Sequence, residues 1–223
     1  MNRLFLSLGC AVALSFSSLS LSSCSTAVDY TEYVSEYRSE IYLAEEEGYS
    51  LTAFFSEREY PYCADGVCAK LENLVEVYLT VPDNTKNYEL SFTAADGKEC
   101  GGDMSYDSVH ARFFYSQSMD AISSPDLKFT VTFEENSVTL EAKNVRTGTE
   151  LTMPEIIGKL AEQKPTLLES LTNGKNFMGE LYVRLVYNEK CYYFIGVCTK
   201  EGLKNCFLLD ACSGTVMAER NNG

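Results

Sequence analysis

The sequence predicts a mainly β protein that ends in a smaller α+β unit, and three observations carry this. Apolar and polar residues alternate at a period of two from Glu40 to Val145. The spacing turns helical after Arg146-Thr147-Gly148-Thr149 and returns to strand-like runs after Asn173-Gly174. There are fifteen Tyr and no Trp, a usage that suits strands with one half-wet face.

The elements follow in order. Asp29-Tyr30-Thr31-Glu32 has the form of a capping box, and Tyr30, Tyr33, Val34 and Tyr37 fall at i, i+3, i+4 and i+7. A short amphipathic helix and an extended arm both fit this stretch, which belongs to a tether over residues 24–37. Ile41–Leu43 and Leu51–Phe55 flank the acidic turn Glu45-Glu46-Glu47-Gly48 and read as a hairpin. Val75, Val77, Leu79 and Val81 make the next apolar face, followed by Tyr88, Leu90, Phe92 and Ala94 and the turn Asp96-Gly97. Val109, Ala111, Phe113 and Tyr115 continue the alternation, with His110 and Arg112 on the opposite parity. Leu127, Phe129, Val131 and Phe133 pair with Val138, Leu140 and Ala142 across Glu134-Glu135-Asn136. Short strands with one apolar face each must bury it sheet on sheet. An immunoglobulin-like β-sandwich over residues 38–148 is therefore expected.

Beyond the boundary, Ile156, Ile157, Leu160 and Ala161 form a helical face after Pro154, which suits a first-turn position. Leu167, Leu168 and Leu171 begin a second short helix after Pro165. Strands are expected at Leu181–Tyr187, Tyr192–Cys198 and Cys206–Ala211, with a fourth at Thr215–Ala218. Helices against an antiparallel sheet make residues 149–223 an α+β unit.

The N-terminus sets location. Arg3 precedes an apolar stretch from Leu4 to Leu21, and small residues then lead into Cys24. This is the organisation of a secretory signal peptide over residues 1–23. Seven serines dilute the segment, which argues against an uncleaved anchor, because spanning needs about 20 predominantly apolar residues. Leu21-Ser22-Ser23-Cys24 resembles the lipobox of bacterial lipoproteins. The resemblance implies cleavage before Cys24, a diacylglyceryl thioether on its sulfur, and anchoring at the extracytoplasmic face of the cell membrane.

The remaining 200 residues carry 17 basic and 32 acidic side chains, a net charge of −15. That balance excludes nucleic acid, whose phosphates need clustered Lys and Arg. Seven cysteines besides Cys24 remain, an odd number, so complete pairing cannot occur within one chain. Cys63-x4-Cys68 has loose zinc spacing with no second compact pair near it, so no metal or other cofactor is assigned.

A second resemblance is internal. Tyr192-Tyr193-Phe194-Ile195-Gly196-Val197, then Leu208-Leu209-Asp210-Ala211-Cys212-Ser213-Gly214-Thr215-Val216, is similar to the end of a PepSY-type domain. The physical logic is a turn in which Asp210 accepts from backbone amides two residues on and Gly214 supplies a positive φ. Ser213 stands where the family usually has Thr, and Thr215 where an acidic residue is common. The resemblance implies a small, non-catalytic binding module outside the cytoplasm, and it transfers no active-site residue.

Candidate chemistry is sparse. His110 is the single histidine, and no nucleophile motif accompanies it, so no enzyme is expected. Thirty-two acidic residues guarantee some carboxylate pair, so pairing alone carries no weight for glycoside hydrolysis. Glu45-Glu46-Glu47 reads as a solvated hairpin tip, and Asp103 and Asp107 as a polar loop without EF-hand spacing. A three-residue loop Glu201-Gly202-Leu203 sets Cys198 opposite Cys206, a cross-strand pair that oxidation can link. Cys63 and Cys68 flank the Asp65-Gly66 turn and can close it in the same way. Arg58, Tyr60, Tyr62, Tyr182, Tyr192 and Tyr193 form the candidate binding patch, since Tyr and Arg tolerate half-wet interfaces. The expected role is non-enzymatic binding of a protein, peptide or envelope component. The alternative is a carbohydrate- or solute-binding accessory lipoprotein.

Overall fold

A computed structural model describes residues 28–60, 67–94, 96–119 and 126–221. A 3-10 turn at Tyr30–Tyr33 opens the described chain. It leads into β1 (Val34–Glu46), β2 (Tyr49–Glu59), β3 (Leu71–Thr80), β4 (Glu89–Thr93) and β5 (Glu99–Asp103). β6 (Ser105–Asp107), β7 (Arg112–Ser118), β8 (Asp126–Phe133) and β9 (Asn136–Asn144) follow. Helices α1 (Met153–Gln163) and α2 (Pro165–Ser170) precede a small ladder of β10 (Thr172–Asn173) with β11 (Asn176–Phe177). The chain finishes with β12 (Glu180–Asn188), β13 (Lys190–Thr199), β14 (Gly202–Asp210) and β15 (Val216–Asn221).

The protein is mainly β, as the alternation predicts, and thirteen strands belong to one sheet. The alternation predicts two stacked sheets over residues 38–148. The pairings instead run β1-β2-β3-β7-β6 on one side and β1-β9-β8-β4-β5 on the other. β5 and β6 are separated only by the buried Met104, so the segment 99–107 serves β4 and β7 in turn and the sheet nearly closes into a barrel. Gly101 makes this approach possible. Its φ is 148°, and a Cβ there would lie 2.1 Å from the Leu90 carbonyl oxygen. The interior is filled by Tyr42, Leu51, Val77, Leu90, Phe129 and Leu140 among others, each essentially inaccessible. Val77, Leu90, Phe129 and Leu140 are residues of apolar parity named from the sequence, whereas Tyr42 points inward and its neighbours Ile41 and Leu43 pack into the other core.

The turns explain where register is set. Glu47 and Gly48, with φ of 50° and 85°, close a two-residue β1–β2 hairpin whose right-handed twist such positive angles favour. At the next hairpin Phe133 faces Asn136, with Glu134 at φ 53°. His110 departs from its expected strand position. Ala111 adopts φ 52°, which ends the extended run, so residues 108–111 form a turn and β7 starts at Arg112. Asp107 organises that turn by accepting from the Val109 and His110 amides and contacting His110 Nδ1 at 2.6 Å.

β1 is the long strand that joins the two ends of the molecule. The stretch 24–37 ends in order: Asp29 caps the 3-10 turn through the Thr31 amide, and Val34 to Tyr37 are already strand. Val34 to Arg38 pair in parallel with Leu181 to Arg184 of β12 on one side, while Glu36 to Glu46 pair with β2 on the other and Tyr42-Leu43 also pair with β9. The four C-terminal strands thus extend the same sheet. On one face of them lie α1 and α2, whose Ile156, Ile157, Leu160 and Leu168 pack with Val183, Leu185, Ile195 and Phe207 in a second core. Thr152 and Glu155 form a reciprocal capping box that starts α1, with Pro154 in its first turn.

Candidate functional site

Cross-strand partners share a face of a sheet, so the registers define a surface. Opposite the helices, one row runs Leu208, Phe194, Arg184, Arg38, Ser56 and Leu74 across β14, β13, β12, β1, β2 and β3. A neighbouring row runs Gly196, Tyr182, Glu36, Arg58 and Glu72. Further along, Phe54 faces Glu76, and Tyr78 faces Phe114. Four of the seven arginines of the chain gather here once Arg112 is included, since its guanidinium stacks 3.9 Å from the Tyr78 ring centre.

The charges on this face are ordered. Arg184 holds the buried Glu36 carboxylate with two bonds, Nε to Oε1 at 2.8 Å and Nη2 to Oε2 at 2.6 Å. Arg58 approaches Glu76 at 3.8 Å, and Arg112 approaches Asp107 at 4.0 Å. Arg38 makes no ion pair among the described residues and instead lies 4.0 Å over the Phe54 ring. Its Nε is buried without a hydrogen bond. Burial presses the Arg38 guanidinium below its ordinary pKa, opposed by the pull of Glu36. Beyond Arg184, Phe194, Leu203, Cys206 and Leu208 border an open groove of about 880 Å³, which Glu219, Arg220 and Asn221 of β15 also line.

The residues of the expected patch are dispersed. Arg58 lies on the face just described and Tyr60 is 78% exposed near it, while Tyr62 falls outside the described residues. Tyr182 and Tyr192 share that face, but Tyr182 is buried, its ring laid against Gly196, where a Cβ would come within 2.8 Å of it. Tyr193 points the other way. It is fully buried and its hydroxyl donates to the Leu151 carbonyl at 2.8 Å. Parity separates neighbours such as Tyr192 and Tyr193, so no patch can hold both. The sequence signal for the observed face lay in Glu36-Tyr37-Arg38 and Tyr182-Val183-Arg184, whose polar side chains stand at i and i+2.

The cysteine pairing also changes. Thr199 faces Gly202 across a two-residue loop, and a bulge at Lys204 shifts the register, so Cys198 faces Leu203 and Cys206 faces Gly196. Cys198 and Cys206 are not linked. Cys191 is buried against the Val145 carbonyl, and burial pushes its thiol up to about 11. Cys24 and Cys63 lie outside the described residues.

The structure brings together a cluster that no spacing in the sequence signalled. Donor atoms of Glu59 at the end of β2, Cys68 in the segment before β3 and Glu180 at the start of β12 all lie within 4.8 Å of one another. Glu59 and Glu180 are 2% and 0% exposed. The Ala69 amide donates to Glu59 Oε1. Burial raises the Cys198 thiol, whose Sγ donates to the Thr199 carbonyl at 3.6 Å.

The turn carried by Asp210 is built as its sequence reads. Asp210 Oδ1 accepts from the Cys212 amide at 3.1 Å and the Ser213 amide at 2.9 Å, and Gly214 has φ 71°. Lys190, 2.8 Å from Oδ2, leads these bonds in holding the carboxyl far below the usual range. Comparison with protein-family models, with curated proteins and with solved structures gives no match.

Proposed function

We infer that this protein is a lipid-anchored, extracytoplasmic lipoprotein that binds a protein, peptide or envelope component without catalysing a reaction. The lipobox-like Leu21-Ser22-Ser23-Cys24 supports the anchoring, with Cys24 as the modified residue. The helices over β12–β15 and the Asp210 turn support a PepSY-like reading of the C-terminal unit.

The observation that carries the binding role is the arginine and aromatic face, with Arg38 at its centre. An arginine held over an aromatic ring without a carboxylate partner is prepared for an acidic group on a ligand. The groove beside it, with an apolar floor and a polar rim of Glu219, Arg220 and Asn221, suits side chains of the same ligand, which favours a peptide or protein over a free sugar. The charge of −14 on the whole chain makes this concentration of arginine the more selective.

A photo-crosslinking residue at the exposed Ser116, on this face, tests the reading in cells against one at Met217 on β15. The expected result is a discrete adduct from position 116 alone, lost on Arg38→Ala. Equal capture from both positions, or none from either, would remove the binding role. Cys24→Ser should move the protein from the membrane to the soluble fraction. Retention on the membrane would remove the lipid anchor.

A further inference from the structure

We propose that Glu59, Cys68 and Glu180 form a divalent-metal site of the zinc class that fastens the segment before β3 to the β1–β12 junction.

The argument starts from the sheet. β2 and β12 flank β1 on opposite sides, so their backbones stand about 10 Å apart, two strand spacings. Glu59 and Glu180 nevertheless bring carboxylate oxygens within 4.8 Å, together with the Cys68 sulfur. The two acids therefore reach toward each other across the start of β1. Both are more than nine-tenths buried. Two like charges so placed repel strongly in a medium of low polarity, and a shared cation converts that repulsion into attraction.

The donor set selects the cation. Two carboxylates and a thiol combine hard and soft ligands, which suits a borderline ion such as zinc and does not suit calcium or magnesium, which take oxygen alone. The surroundings orient the ligands as metal sites require. The Ala69 amide donates to one oxygen of Glu59 and so fixes that ligand. The donors come from positions 59, 68 and 180, so binding would tie segments more than a hundred residues apart. The role is structural, and it is independent of the binding face.

The test uses detergent-solubilised full-length protein, reduced and stripped with a chelator. Zinc stoichiometry by elemental analysis and the spectrum of the cobalt-loaded protein are read together. One equivalent of metal and a thiolate-to-cobalt charge-transfer band are expected. Cys68→Ser, nearly isosteric, should abolish the band, whereas Glu180→Gln should weaken affinity and leave the thiolate band in place. Cys212→Ser, at an exposed thiol of the Asp210 turn, should change neither. Zinc at a hundred times its Kd should raise Tm by roughly 5–10 °C in the parent and not in Cys68→Ser. No metal on the parent protein would show that the carboxylates share a proton instead, and the proposal would fail. An unchanged band in Cys68→Ser would overturn it equally.

Discussion

Arg184→Ala probes the place where the two cores of the molecule are joined. Glu36 is 2% exposed and its two oxygens are both held by Arg184, at the parallel β1–β12 pairing. Removing one partner of a buried pair leaves an uncompensated charge and costs about 3–5 kcal/mol. The Arg184 side chain is 34% exposed, so water can enter the vacated space, and screening reduces the expected loss to about 2–3 kcal/mol. For a chain of this size that lowers Tm by roughly 5–10 °C. The double change Glu36→Met with Arg184→Met removes both charges and should return stability to within about 1 kcal/mol of the parent. Urea unfolding of the parent, both single variants and the double variant measures the coupling. A cost below about 0.5 kcal/mol for Arg184→Ala would refute the reasoning, because the pair would then behave as a surface ion pair.

Gly101→Ala should destabilise by at least about 2 kcal/mol, since the left-handed φ and the Leu90 carbonyl both oppose a Cβ. Gly97→Ala, at φ 83° with open space around it, should cost about 1 kcal/mol, and equal Tm losses would contradict the barrel closure. Burial works to raise Glu150, but amides of Thr147 and Gly148 outweigh it and hold the carboxyl below its ordinary value of 4.5. A lowered carboxylate stabilises the fold above the unfolded pKa and loses that contribution as pH falls through the folded one. Stability should therefore drop below about pH 4.5 in the parent, and Glu150→Gln should flatten this part of the acid limb. In maleimide labelling of native protein followed by mass spectrometry, the exposed Cys212 should react first, and the buried Cys191 only after unfolding. Equal rates would show that Cys191 is not shielded as described.

The sequence by itself determined the local content of this fold. Period-two alternation located most of the barrel strands and their inward residues, because burial of one face imposes it whatever the sheet does next. It missed β5 and β6 and set Val109, which is 85% exposed in the 108–111 turn, on the inward face. The same alternation cannot say which strands meet. Gly101 and Met104, which let residues 99–107 pair on both sides, gave no periodic signal, so two sheets were expected where one nearly closes. The Asp210 turn was legible because its bonds span only three residues. The Cys198–Cys206 alignment failed because a single bulge at Lys204 moves every partner beyond it. His110 left its strand for an equally local reason, a positive φ at Ala111 that residue type did not announce. Tyr182, Tyr192 and Tyr193 are close in sequence pattern but not in environment, since parity and the Gly196 hollow decide which ring is buried. The arginine face and the Glu59–Cys68–Glu180 cluster exist only after β1 has paired with β12. That pairing joins residues nearly 150 positions apart, and only tertiary structure could decide it, because a parallel strand pair leaves no mark on local spacing.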